Sequence, residues 1–78
     1  MNYDSTLDCL TKILKRVNKE IEITENTSIE DIVKDYNDIL EIALDIDSTF
    51  YINCDYEVIE LAETVLNILE HILELLEK

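Results

Sequence analysis

The chain contains neither glycine nor proline among its 78 residues. Their absence leaves few turn breakers and nothing that resembles a linker between domains. Hydrophobic residues make up 47% of the sequence, which is enough for a modest core in a chain of this length. We therefore expect residues 1–78 to form a single, all-α domain.

Basic residues are also scarce: six Lys and Arg stand against 19 Asp and Glu, for a net charge of −13. Such a charge repels phosphate backbones and anionic membrane surfaces, so neither nucleic acid nor membrane is an expected partner. A basic protein surface is the partner that this charge favours.

Long apolar runs are absent, and the start "MNYDSTLDCL" has neither the basic region nor the apolar stretch of a secretory signal. No run approaches the roughly 18 to 20 residues that a membrane span needs. These absences predict a soluble, cytoplasmic protein.

Few residues of the chain have side chains suited to catalysis, disulfide formation or metal binding. Cys9 and Cys54 are too far apart in sequence to suggest a disulfide framework, and we interpret both as reduced packing residues. His71 and Cys54 have nothing in the sequence to orient them as a nucleophilic pair, so no enzyme activity is expected. Asp45 and Asp47 lie close together, but a calcium loop needs a glycine at its sharp turn, so no metal site is predicted.

Ser5 and Asp8 have the spacing of a capping box and predict a first helix over residues 6–18. Its apolar stripe follows offsets of three and four, at Leu7, Leu10, Ile13, Leu14 and Val17. Residues 19–28 then predict a long loop that Ile21 and Ile23 fix to the core.

Asp35 can cap a second helix, with Asp38 in its first turn. Its predicted buried face consists of Ile39, Ile42, Ala43 and Ile46. The stretch "DSTFYINCD" contains Ser48, Thr49 and other side chains that compete with helix hydrogen bonds, so it predicts a break.

Two further helices are predicted after that break. Asp55 can cap a short helix that ends near Leu61, and Thr64 can cap a final one. The buried side of the final helix consists of Val65, Ile68, Leu69, Ile72 and Leu76. One continuous helix over residues 55–77 is the alternative.

This order of elements, together with three stretches of sequence, resembles the acyl carrier and peptidyl carrier protein family over residues 5–72. "ITENTSIEDI" is similar to the family's loop before its second helix, and "IVKDYN" stands where Leu-Gly-x-Asp-Ser-Leu is usual. "DILEIALDIDSTF" is similar to the acidic second helix and the aromatic residue, here Phe50, that follows it. The resemblance implies a small four-helix bundle with a long loop between its first two helices.

The chain departs from the family at the attachment point. Family members carry 4′-phosphopantetheine on a serine at the start of the second helix, and Tyr36 occupies that position here, between Asp35 and Asn37. Asp35 is the one residue of the triplet that is retained, and Val33 stands where a glycine is usual. A transferase shaped for serine is not expected to position a tyrosine hydroxyl, so we expect no cofactor.

The acidic second helix is better retained than the attachment point. In the family, carboxylates on this helix steer basic partner enzymes, an effect chiefly on association rate. The resemblance assigns such docking to Asp35, Asp38, Glu41, Asp45 and Asp47. The leading hypothesis is thus a carrier-like interaction module without the cofactor, whose partner is a basic surface such as that of a biosynthetic enzyme.

Three alternatives stay open at this point. The carboxylates can simply solvate an exposed face. The chain can be a working carrier in fatty-acid, polyketide or peptide biosynthesis, with 4′-phosphopantetheine, or a small acidic immunity or inhibitor protein. The leucine-rich end, with Leu66, Leu69, Leu73, Leu75 and Leu76, leaves either a monomer or a weak homo-oligomer open.

Overall fold

The computed structural model describes residues 2–77, which contain helices and no strand. Five helices follow one another in this range: α1 (Tyr3–Val17), α2 (Ile29–Ile32), α3 (Tyr36–Phe50), α4 (Tyr56–Leu61) and α5 (Val65–Leu76). The all-α prediction is confirmed for the described residues. None of these helices has the length and the apolar character that crossing a membrane requires.

Helix α1 begins three residues earlier than predicted. Asn2 is its N-cap, because the backbone N–H of Ser5 donates to Oδ1 of Asn2 at 2.8 Å. The fully buried hydroxyl of Thr6 donates to the backbone oxygen of Asn2 at 2.7 Å, which fixes the first turn further. The prediction that Ser5 caps the helix is therefore wrong.

The long loop lies where it was predicted, and Ile23 is buried while Ile21 packs partly against the core. Sequence reasoning missed the short helix α2 that follows it, whose Ile29 and Ile32 are both buried. The only sequence signal for α2 was Ser28, its N-cap residue, followed by Asp31 in the first turn.

Backbone hydrogen bonds attach the loop to the start of α5. The N–H of Val65 donates to the oxygen of Thr27 at 3.0 Å, and that of Leu66 donates to the oxygen of Glu25 at 2.9 Å. They satisfy N–H groups of the first turn of α5, which have no partner inside the helix. In return, the N–H of Ile29 donates to the oxygen of Glu63 at 3.0 Å.

These hydrogen bonds require an interruption of the helix between α4 and α5. Asp55 caps α4 by accepting the N–H of Glu57 at 2.9 Å, and Thr64 is the N-cap residue of α5, so both predicted helix starts are confirmed. The alternative of one continuous helix over residues 55–77 is wrong.

Helix α3 starts after Asp35, as predicted, but continues through Ser48 to Phe50. The Ser48 hydroxyl donates to the backbone oxygen of Leu44 at 3.0 Å, a bond that leaves the helix intact. The helix ends at Tyr51, inside the stretch predicted to interrupt it, and Tyr51 adopts a left-handed conformation with φ of 56°. In a chain without glycine, a bulky residue has to take this position, at a cost of about 1 kcal/mol.

The core lies between α1, α3 and α5, and α4 packs against α3 and α5. Its buried hydrophobic members are Leu10, Ile13, Leu14, Ile23, Ile29, Ile32, Ile42, Ala43, Ile46, Phe50, Cys54, Ile59, Val65, Ile68, Leu69 and Ile72. The buried faces predicted for α3 and α5 are confirmed, with Ile39 and Leu76 only partly buried at their margins.

Candidate functional site

Tyr36 is the first residue of α3, and its side chain is 47% exposed. Its ring contacts that of Tyr56, at the start of α4, in an edge-to-face arrangement with centroids 6.2 Å apart. Desolvation raises the pKa of Tyr36 above its ordinary value of 10.0, and the neighbouring Tyr56 and Glu60 raise it further. The Tyr36 hydroxyl is thus protonated at neutral pH.

The residues that flank Tyr36 hold the start of α3. Oδ1 of Asp35 accepts the backbone N–H of Asp38 at 3.1 Å, and Oδ2 of Asp38 accepts the N–H of Lys34 at 2.7 Å. Each carboxylate satisfies a backbone donor and lies near the positive end of the helix dipole. Asn37 is exposed. Asp35 and Asp38, which were predicted to dock a partner, therefore have a structural role in the helix start.

Two more of the predicted docking carboxylates have intramolecular partners. Asp45 lies 3.8 Å from the guanidinium of Arg16 on α1. Oδ1 of Asp47 accepts the backbone N–H of Cys54 at 2.6 Å and so fixes the connection between α3 and α4. Both carboxylates are only partly exposed.

Glu41 differs from the other four carboxylates. It is exposed, and within residues 2–77 it makes no ion pair. Leu44 lies three residues further along the helix, on the same face, and is 66% exposed. Sequence reasoning missed Leu44, although its position off the stripe of Ile42 and Ile46 was a readable signal. The outer face of α3 therefore combines an unpaired carboxylate with an exposed apolar side chain.

Cys54 and His71, the remaining candidates for chemistry, make no hydrogen bond to each other within residues 2–77. Cys54 is buried, and desolvation, followed by the charges of Asp47 and Asp55, raises its pKa from 9.0 to about 11. The thiol donates to the backbone oxygen of Asp55 at 3.8 Å, and Nε2 of His71 is buried without a hydrogen-bond partner among the described residues. At neutral pH Cys54 is a protonated thiol and a poor nucleophile.

No protein-family model, curated protein or solved structure matches the chain.

Proposed function

We propose that this chain is a carrier-protein-like domain that lacks phosphopantetheine and acts by binding a basic protein through the outer face of α3. The observation that carries the proposal is the exposed Leu44 beside the unpaired Glu41. An apolar side chain flanked by charge offers a partner both buried area and an attractive field.

The arrangement of helices is compatible with the four-helix bundle that we propose. Helices α1, α3, α4 and α5 would be its four members, and α2 would be one turn within the long loop. The resemblance concerns this order and the start of α3, where Asp35 caps the helix next to Tyr36.

Tyr36 is the reason that we propose a domain without the cofactor and without enzymatic activity of its own. Its hydroxyl lies at the end of a ring that contacts Tyr56, away from the place where a serine hydroxyl would lie near the backbone. Group transfer depends on an accurately placed nucleophile, and this hydroxyl is displaced from that place.

The attachment position can be tested by incubating the chain with coenzyme A and a broad-specificity phosphopantetheinyl transferase. We expect the intact mass of the wild-type chain to stay unchanged, while Tyr36→Ser gains one phosphopantetheine because it restores the hydroxyl at the start of α3. Tyr36→Phe is the control and should stay unmodified. An unmodified Tyr36→Ser would refute the carrier-like assignment of this position, and a gain by both wild type and Tyr36→Phe would refute the loss of the site.

Docking can be tested by capturing partners on the immobilised chain and measuring their affinity for variants. Leu44→Ala should weaken binding roughly tenfold through lost apolar contact. Glu41→Lys should slow association and reduce its dependence on salt, because it removes part of the attractive field.

Matched controls are available on other helices. Leu61→Ala removes the same atoms from a side chain on α4 that is 79% exposed, and Glu74→Lys makes the same charge change on an exposed residue of α5. Both controls should retain binding. Losses equal to those of the α3 variants would contradict docking on α3, and recovery of a nuclease as the partner would favour the immunity or inhibitor alternative.

A further inference from the structure

Two aromatic rings meet on the surface where α3 and α4 begin. The rings of Tyr36 and Tyr56 are perpendicular, with an interplanar angle of 89°, and they remain 47% and 43% exposed. Tyrosine has a large apolar ring with a polar tip, so the exposed part of each ring can contact a ligand. The contact fixes both rings yet leaves aromatic surface open to a ligand.

Carboxylates border this pair. Glu60 lies four residues after Tyr56 and therefore on the same face of α4, and Glu57 is in the first turn of that helix. Both are exposed, and within residues 2–77 neither forms an ion pair with a basic side chain. After desolvation and Tyr56, these two carboxylates also raise the pKa of Tyr36, which is consistent with their lying close to its ring. We call Tyr36, Tyr56, Glu57 and Glu60 the tyrosine notch.

We infer that the tyrosine notch binds an arginine side chain of the partner protein. This inference rests on the proposed function, because it takes the partner to be a basic protein, and it adds a second contact at the start of α3. The charge of the notch is complementary to such a partner, and its aromatic surface selects among cations.

Arginine fits the notch better than lysine does. The guanidinium is planar and weakly hydrated, so it can stack on a tyrosine ring while it donates two parallel hydrogen bonds to one carboxylate. The lysine ammonium is a strongly hydrated point charge that gains less from the aromatic surface. An electrostatic patch alone would not distinguish the two cations.

The test compares hexa-arginine and hexa-lysine peptides, which have the same charge, by titration against the chain at physiological ionic strength. We expect the arginine peptide to bind roughly threefold to fivefold more tightly, with shifts in the ring resonances of Tyr36 and Tyr56. Equal affinities of the two peptides would overturn the inference.

Substitutions show which residues cause the preference for the arginine peptide. Tyr56→Leu should reduce the arginine affinity to that of lysine, whereas Tyr51→Leu, which alters a tyrosine that is 92% exposed at the other end of α3, should not. Glu60→Gln should also reduce the preference, while Glu74→Gln on α5 removes the same charge and should leave it intact. A preference that persists in both Tyr56→Leu and Glu60→Gln, or that disappears equally in the controls, would refute the notch.

This experiment can fail independently of the proposed function. If the wild-type chain binds the two peptides equally but the affinity of its captured partners still depends on Leu44 and Glu41, the notch is refuted and docking on α3 is not. If the chain prefers the arginine peptide but its captured partners bind Leu44→Ala as well as wild type, docking on α3 is refuted. The notch would then remain as the binding site.

Discussion

Replacing Leu69 with alanine should lower the free energy of unfolding by about 3 kcal/mol. Leu69 is fully buried on α5, in the core that this helix shares with α1, and the substitution removes three methylene-sized groups from a tightly packed site. The surrounding helices can collapse only partly into the space, so a cavity adds to the lost transfer free energy. Because small domains are stable by only about 5–15 kcal/mol, this loss is a large share of the total. Urea denaturation followed by helical circular dichroism measures it.

Leu44→Ala is the matched comparison, because it makes the same chemical change on an exposed residue. Leu44 is 66% exposed, and alanine is a strong helix former, so the free energy of unfolding should change by less than about 0.5 kcal/mol. Similar losses in the two variants would show that Leu44 belongs to the core. A loss of stability in Leu69→Ala but not in Leu44→Ala would separate stability from partner binding. Leu44→Ala should then fold normally and still bind its partner more weakly.

Cys54 should contribute about 2 kcal/mol to a fall in stability as the pH rises from 9 to 11. The fold raises the pKa of the Cys54 thiol from 9.0 to about 11, first by desolvation and then through the charges of Asp47 and Asp55. In this window the unfolded chain loses its proton before the folded chain does. The unfolded state then binds fewer protons than the native state, so the free energy of unfolding decreases with pH. Urea midpoints measured across the window report it.

Substituting Cys54 separates its contribution to the pH dependence of stability from the contributions of other groups. Cys54→Ala should be less stable at neutral pH, because a buried side chain is lost, but its stability should lack the Cys54 component between pH 9 and 11. Cys9→Ala is the control and should keep the wild-type slope. Tyr3, which donates to Glu25, and Tyr36 also have pKa values raised above 10.0, so they add to the fall from about pH 10 upward in every variant. An unchanged slope in Cys54→Ala would contradict the assignment.

The parts of the fold that the sequence predicts correctly are those in which a capping residue precedes a strong apolar period. Asp35, Asp55 and Thr64 each stand immediately before such a run, and each precedes a helix start in the structure. Local chemistry is sufficient there because the cap and the buried stripe favour the same boundary.

The errors arise where local signals compete or are too short. Asn2 and Ser5 are about equally good caps, and the earlier one adds a turn that buries Thr6. The break predicted within "DSTFYINCD" is present, but it begins at Tyr51 and not at Ser48, whose hydroxyl bonds within α3. Helix α2 has four residues, too few for any period to be recognised.

The sequence predicts the candidate site less well than it predicts the fold. The roles of Asp45 and Asp47 depend on Arg16 and on the amide of Cys54, which only the packing of other elements brings near. The contact of Tyr36 with Tyr56 likewise depends on how α3 and α4 meet. Composition predicts an acidic surface, but it cannot identify which carboxylates remain unpaired.

The attachment of the long loop to the first turn of α5 has a consequence for synthesis of the protein. The carbonyls of Glu25 and Thr27 find their native donors only on Val65 and Leu66. While these residues remain inside the ribosomal tunnel, the carbonyls of Glu25 and Thr27 have only water to bond with. The nascent chain can therefore complete these backbone contacts only after the start of α5 has been translated and has emerged.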